Sequence, residues 1–259
     1  MKISKPQFTF DVITLMPEMF LALTEYGVVG RAFKEKNVDL HLWNPREFSH
    51  NEHKTVDDRP YGGGPGMLMM ADPIVKSIRA AKKRQEGQGL DSGKVIHMSP
   101  RGKPLNHKLV NSLVKEKNLI FIASRYEGID ERVSPWIDEE ISIGDFVTSG
   151  GELPTMTLID CMVRQLPGVL NDEESAVQDS FVNGLLDHPH FTRPEIYDGM
   201  KVPDILMSGD HEKIRIWRLK ESLRVTWIRR PDLLAERLLT KEETRLLDEI
   251  KNEQEQDSL

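Results

Sequence analysis

The sequence predicts an α/β domain with a mostly parallel sheet, followed by a small helical domain. Three observations carry this. Up to about residue 165, strand-like and helix-like segments alternate, as they do where helices link parallel strands. LIFIAS (119–124) is an unbroken apolar run, the mark of a central strand covered on both faces. Beyond residue 203 the apolar positions recur at helical spacing, with no alternating segment among them.

The elements follow in order. FTFDVIT (8–14) alternates and is rich in aromatic and β-branched residues, so it reads as a strand. PEMFLALTEYGVVGRAFKE starts at Pro17, a favoured first helical residue, and reads as helix. VDLHLW (38–43) alternates again. Asp72-Pro73 is expected to cap the helix IVKSIRAAKKRQ. KVIHMS (94–99) is a short strand running into Ser-Pro-Arg-Gly, and Leu105, Leu109 and Leu113 with Val110 and Val114 form a helical face. EISIGDFV (140–147) is strand-like and leads into a glycine loop and a helix-like run. The stretch 167–203 has scattered Gly and Pro and reads as a connection. Ile216, Leu219, Leu223 and Trp227 share one helical face, Pro231 marks a boundary, and Thr240–Glu243 is a capping box before Leu246, Leu247 and Ile250. The expected organisation is a sheet domain over 1–166, a linker over 167–187 and a helical domain over 188–259.

Composition narrows the class. The chain has 259 residues, 38% hydrophobic and 30% charged, with a formal net charge of −7, as in soluble globular proteins. No apolar run reaches the ~18 residues of a membrane span. The N-terminal stretch lacks a small-residue cleavage site and is not read as a signal peptide. The single cysteine, Cys161, excludes an internal disulfide framework and fits a reducing cytoplasm. Its setting, TLIDCMVRQL, suits a buried inert thiol. The acidic balance argues weakly against nucleic acid, but distribution outweighs the sum. KIRIWRLKESLRVTWIRR (213–230) holds seven basic residues and one acid, Glu221, with two tryptophans between them. A solvated face and a phosphate-binding surface both fit Lys213, Arg215, Arg218, Lys220 and Arg224.

Ligands of parallel sheets bind beyond the carboxyl ends of the strands. Ser99-Pro100, 124–128 and 144–151 all follow strands and are expected to converge on one pocket. The segment IGDFVTSGGELPTMTLID (143–160) places glycines between strand and helix, where something approaches the backbone or the chain merely turns tightly. It matches neither the phosphate loop, because no Lys follows the glycines, nor the dinucleotide fingerprint. PYGGGPG (60–66) is a second glycine loop, a rigid turn or a phosphate cradle. His50-x-x-His53 and His188-Pro-His190 lack the partners of the common zinc motifs, so no metal site is expected.

DDRPYGGGPGMLM (57–69), SRYEGIDERV (124–133), SIGDFVTSGGELPTMTLID (142–160), LLDHPHFTRP (185–194) and RLKESLRVTWIRRP (218–231) occur in that order. Together they resemble the bacterial tRNA (guanine-N1)-methyltransferase (TrmD) family of the SPOUT superfamily, over about residues 8 to 250. The resemblance implies a SPOUT-type parallel sheet whose C-terminal part is tied in a trefoil knot, where unthreaded sheets are the default. It implies a cytoplasmic homodimer with active sites at the subunit interface. The reaction implied moves a methyl group from S-adenosylmethionine to N1 of guanosine 37 of tRNA, beside the anticodon. A magnesium requirement is associated with the family, and no acidic cluster here locates such an ion.

Guanine N1 carries a proton, so this chemistry needs a general base and a group that steadies charge on O6. The resemblance puts the base at Asp179, in the linker, and a partner at Arg164. Without it, Asp179 would read as a turn residue and Arg164 as an ion-pair partner of Asp160. By the same resemblance Ile143, Gly144, Asp145, Phe146, Val147, Thr148, Gly150 and Gly151 wrap the donor. Ser99 and Pro100 form a second wall, Ser124, Tyr126 and Glu127 a third, and Pro154 completes the set. The family pattern has Gly where this chain has Ser124, and Tyr where it has Phe146. His190, Phe191 and Arg193 are implied tRNA contacts. A catalytically silent RNA-binding protein on the same fold is the competing reading, and a small-molecule methyltransferase a third.

Overall fold

The structure, a computed structural model, describes residues 6–171, 176 and 178–257. Seven strands occur before residue 172: β1 (Phe8–Thr14), β2 (Val38–Trp43), β3 (Asp57–Asp58), β4 (Leu68–Met69), β5 (Lys94–Pro104), β6 (Asn118–Ala123) and β7 (Glu139–Ser142). Five of them form one parallel sheet in the order β2-β1-β6-β5-β7, and β3 and β4 make a separate antiparallel pair. The helices are α1 (Leu21–Thr24), α2 (Gly27–Lys34), α3 (Ala71–Gly87), α4 (His107–Leu113) and α5 (Glu152–Val163).

β1 and β6 are buried along their whole length. Their side chains alternate between two cores, as the pleat requires. Phe8, Phe10, Val12, Leu119 and Phe121 enter a core shared with Val29 of α2 and Leu158 and Ile159 of α5. Ile13, Ile120 and Ile122 enter a second core with Ile74, Ile78 and Ala81 of α3. Each such side chain contributes about 1.5–3 kcal/mol when fully buried.

Local chemistry modifies several expected elements. The helix read from Pro17 is interrupted: a 3-10 turn (Pro17–Phe20) and α1 are followed by an extended Tyr26 and by Gly27 at φ +71. Asp72 does not cap α3 but bonds Lys76 one turn on, at 2.7 Å. β5 runs five residues past the strand read there, through an irregularity between Met98 and Lys103. A β-carbon on Gly102 would strike the backbone of Glu140 and Ile141, so only glycine lets β5 pass β7 this closely. The irregularity lifts Ser99 and Pro100 out of the ladder. β7 ends at Ser142, and the rest of EISIGDFV is loop.

Two compact units divide the chain, 1–171 and 172–259. Of the linker expected over 167–187, residues 172–175 and 177 lie outside the described residues. Val169 is buried in the core of the first unit and Leu185 in that of the second. The second unit holds β8 (Ile196–Tyr197), β9 (Met200–Lys201), α6 (Asp204–Met207), α7 (His211–Arg229), α8 (Pro231–Ala235) and α9 (Lys241–Asp257). The segment expected to be wholly helical thus carries an antiparallel ribbon, turned by Asp198 and Gly199, both at positive φ. Leu223, Leu246, Ile250 and Leu185 form its core, with Ile216, Leu219 and Trp227 against them. The capping box forms: Glu243 N–H donates to Thr240 Oγ1 at 3.2 Å, and Thr240 N–H donates to Glu243 Oε2 at 2.8 Å.

Candidate active site

Because β5, β6 and β7 are parallel neighbours, their carboxyl ends open at one edge of the sheet. The segments that follow them meet there in a cleft. Ser99 and Pro100 line it from β5, and Ser124, Tyr126 and Glu127 from β6. Ile143, Phe146, Val147, Thr148, Gly150 and Gly151 line it from the loop after β7, and Pro154 from the first turn of α5. Gly144 and Asp145, expected beside them, are not among its lining residues. Met98, Gly128, Ile141 and Ser142 line it as well, although no motif marks them. About 160 Å³ is enclosed, below the ~300–1,000 Å³ usual for small-molecule sites. Phe146 and Val147 are exposed there, and the Phe146 ring packs over Gly144.

The loops are fastened by a buried ion pair. Glu152, fully buried in the first turn of α5, meets Arg125 Nε at 2.9 Å and accepts from Thr14 Oγ1 at 2.9 Å. Arg125 also donates to the Ser149 carbonyl at 3.3 Å. Gly151 is glycine for packing reasons: a β-carbon there would lie 2.7 Å from Ala123 Cα and 2.8 Å from Ser124 N. Gly150 instead faces the Arg125 and Glu152 side chains. The second glycine loop joins the same wall, since Glu127 N–H donates to the Met67 carbonyl at 3.0 Å and Gly66 abuts the Glu127 side chain. Tyr126 holds a left-handed φ of +61, an uncommon conformation for such a residue. Burial and the nearby Asp57 carboxylate push its phenol above the ordinary value.

The cleft has a chemical signature. Its lining contains Glu127 and the hydroxyls of Ser99, Ser124 and Thr148, and no Lys or Arg. Such walls suit a ligand with polar edges and positive charge, and offer no cation to a phosphate. That donor set fits the nucleoside sulfonium that the motifs imply. One pair behind the wall was not legible in the sequence. His97 Nε2 lies 2.9 Å from Ser124 Oγ, and its Nδ1 lies 3.0 Å from Glu140 Oε1. Burial, chiefly, holds this imidazole below its ordinary value.

Comparison with known proteins identifies the lineage. The family model described as tRNA (Guanine-1)-methyltransferase TrmD matches residues 8–236. The chain belongs to the TrmD family. The tRNA (guanine-N(1)-)-methyltransferase of Methylobacillus flagellatus is 59% identical over 250 residues, covering 96% of this chain and 94% of that protein. The proteins of the same name from Dechloromonas aromatica and Pasteurella multocida are 58% and 55% identical, covering 95% and 93% of this chain and 98% of each relative.

Of the two residues expected to carry catalysis in this TrmD-family chain, Arg164 is not among the residues that line the cleft. Arg164 is the C-cap of α5 and lines a different cavity with Tyr26, Val29 and Asp160. Burial raises the Asp160 carboxyl, and the Arg164 charge opposes that rise. Asp179 belongs to the second unit, half-buried, with its carbonyl accepting from Val182 N–H at 3.4 Å. Cys161 is half-buried against the first core, and burial raises its thiol, as an inert cysteine requires.

The second unit gathers some of the expected RNA contacts and ties up others. His190, Phe191, Arg193 and Arg218 line a cavity of about 640 Å³. Phe191 and Trp217 stand 6.3 Å apart, and the His188 and His190 rings 4.4 Å apart. His190 Nε2 lies 2.8 Å from Asp187 Oδ2, a hydrogen bond that accounts for the grouping of Asp187, His188 and His190. The basic helix α7, with one acid among the seven basic residues of 213–230, meets further acids at its own Glu212 and on α9. Arg215 pairs with Glu212 and Glu242, Lys220 with Glu249 and Glu253, and Arg224 with Glu221 and Glu253. Lys213 pairs with Asp210. Arg193 and Arg218 make no ion pair among the described residues.

Proposed function

We propose that this chain is a tRNA (guanine-N1)-methyltransferase that methylates N1 of guanosine 37 with S-adenosylmethionine as donor. Its membership of the TrmD family over 8–236 carries the activity. The cation-free cleft at three strand ends supports the choice of donor. Bound there, S-adenosylmethionine supplies an electrophilic methyl group together with its own leaving group. Glu127 and the hydroxyls of Ser99, Ser124 and Thr148 are placed to hold its polar edges. The enclosed space is small, so binding displaces Phe146 or Val147 from the mouth.

The remaining work falls on the acceptor. Asp179 takes the N1 proton of guanine, which turns a poor nucleophile into an anionic one. Arg164 balances the charge that collects on O6. The target base leaves its stack to reach the donor. Arg193 and Arg218 hold phosphates, and Phe191 offers a ring for stacking. We assign 167–187 as the linker that brings Asp179 to the reacting base, the knot to the C-terminal part of the sheet domain, and the active form to a cytoplasmic homodimer sharing its sites. The test is incubation with methyl-labelled S-adenosylmethionine and a tRNA carrying guanosine at positions 36 and 37. Label is expected at N1 of residue 37 and none on a transcript with adenosine there. An unlabelled RNA overturns the proposal.

A further inference from the structure

The Ser124 side chain has a partner behind the cleft wall. It lines the cleft, and its Oγ lies 2.9 Å from His97 Nε2. His97 is 3% exposed, and its Nδ1 lies 3.0 Å from Glu140 Oε1. A carboxylate only accepts, so Nδ1 carries the hydrogen. In the neutral ring Nε2 is then an acceptor, and the Ser124 hydroxyl must donate to it. Its one hydrogen is committed away from the cleft, which leaves the oxygen lone pairs for the ligand. Alternation along two adjacent strands builds this, because His97 and Ile122 are register partners and Ser124 follows β6.

We propose that Ser124 is a recognition residue of the donor cleft, its oxygen held as an acceptor for an N–H or O–H of the bound nucleoside, and that His97 is the positioning residue that sets this polarity. The proposal rests on reading the cleft as the S-adenosylmethionine site. Glu140 of β7 and Glu131 favour the imidazolium, Arg101 opposes it, and burial outweighs all three. The ring is therefore neutral near pH 7. As pH falls below the ordinary histidine range, Nε2 gains a hydrogen and donates to Ser124 Oγ. The hydroxyl hydrogen then turns into the cleft, where it meets a donor of the ligand instead of receiving it. Affinity for the nucleoside falls on acidification.

Calorimetry of the full chain with S-adenosylhomocysteine from pH 8 down to the acid limit of the fold tests this, with thermal melts setting that limit and confirming that each variant is folded. Wild type is expected to lose about five- to tenfold in affinity across the acid limb, the value of one hydrogen bond. Ser124→Ala is expected to bind about five- to tenfold more weakly at pH 8 and to lose that limb. Glu140→Gln, which removes the carboxylate beside the imidazolium, moves the limb to lower pH. A merely structural role for His97 would leave the limb unchanged in Ser124→Ala. Wild-type affinity in Ser124→Ala at pH 8, or an acid limb retained there, overturns this proposal alone. A wild type that binds no S-adenosylhomocysteine at any pH overturns the reading of the cleft as well.

Discussion

Asp179 and Arg164 show how little a single residue declares by itself. An aspartate in a polar stretch is ordinarily a turn residue, and an arginine four residues after Asp160 is ordinarily its partner. Only the surrounding motifs assign them chemistry. Asp179→Ala is expected to bind S-adenosylhomocysteine as wild type does and to lose methyl transfer by about 10²–10⁴-fold, as removal of a general base does. Calorimetry and single-turnover rates check the two halves separately, and turnover near wild type would name another base. Arg125 carries a structural prediction. It is the cationic partner of a fully buried Glu152, so Arg125→Ala strands a buried charge at a cost of about 3–5 kcal/mol. Urea titration measures that loss. No spacing in the sequence pairs residues 125 and 152, or residues 97 and 124, because the contacts are made across parallel strand ends and their loops.

At the scale of elements, β1, β2 and β6 were legible because period-2 alternation and a full apolar run each have one cheap solution. The capping box at Thr240 was legible because both partners sit within four residues. The break at Gly27 and the irregularity in β5 were not, since glycine permits such conformations without demanding them. Helix α7 is the sharpest case. Its own sequence is basic, yet Glu242, Glu249 and Glu253 of α9 neutralise Arg215, Lys220 and Arg224. Arg218 keeps its charge available at the cavity. Arg218→Ala is therefore expected to weaken tRNA binding and reduce the salt slope by about one, while Arg215→Ala changes the slope little. Filter binding across a salt series distinguishes the two, and equal slopes would count against the cavity as the phosphate site.

For the whole molecule, the proposed sharing of sites between copies predicts a particle of about twice 29.7 kDa by light scattering at assay concentrations. A stable, fully active monomer would remove that part of the account. None of the described helices is long and apolar enough to cross a membrane, in line with a chain that is 38% hydrophobic. By itself the sequence determined the α/β class, the helical periodicity after residue 203, the three strand-end segments and the family to which they belong. Those are properties of local period and of motifs that are contiguous in the chain. Tertiary structure alone decided that the cleft these segments share has no Lys or Arg in its lining, that Glu152 and Arg125 fasten it, that His97 Nε2 stands against the hydroxyl of Ser124, and that part of a basic helix is already neutralised. Each depends on which strands and helices become neighbours, and burial, charge pairing and hydrogen-bond polarity act through distance in space, which residue order does not encode.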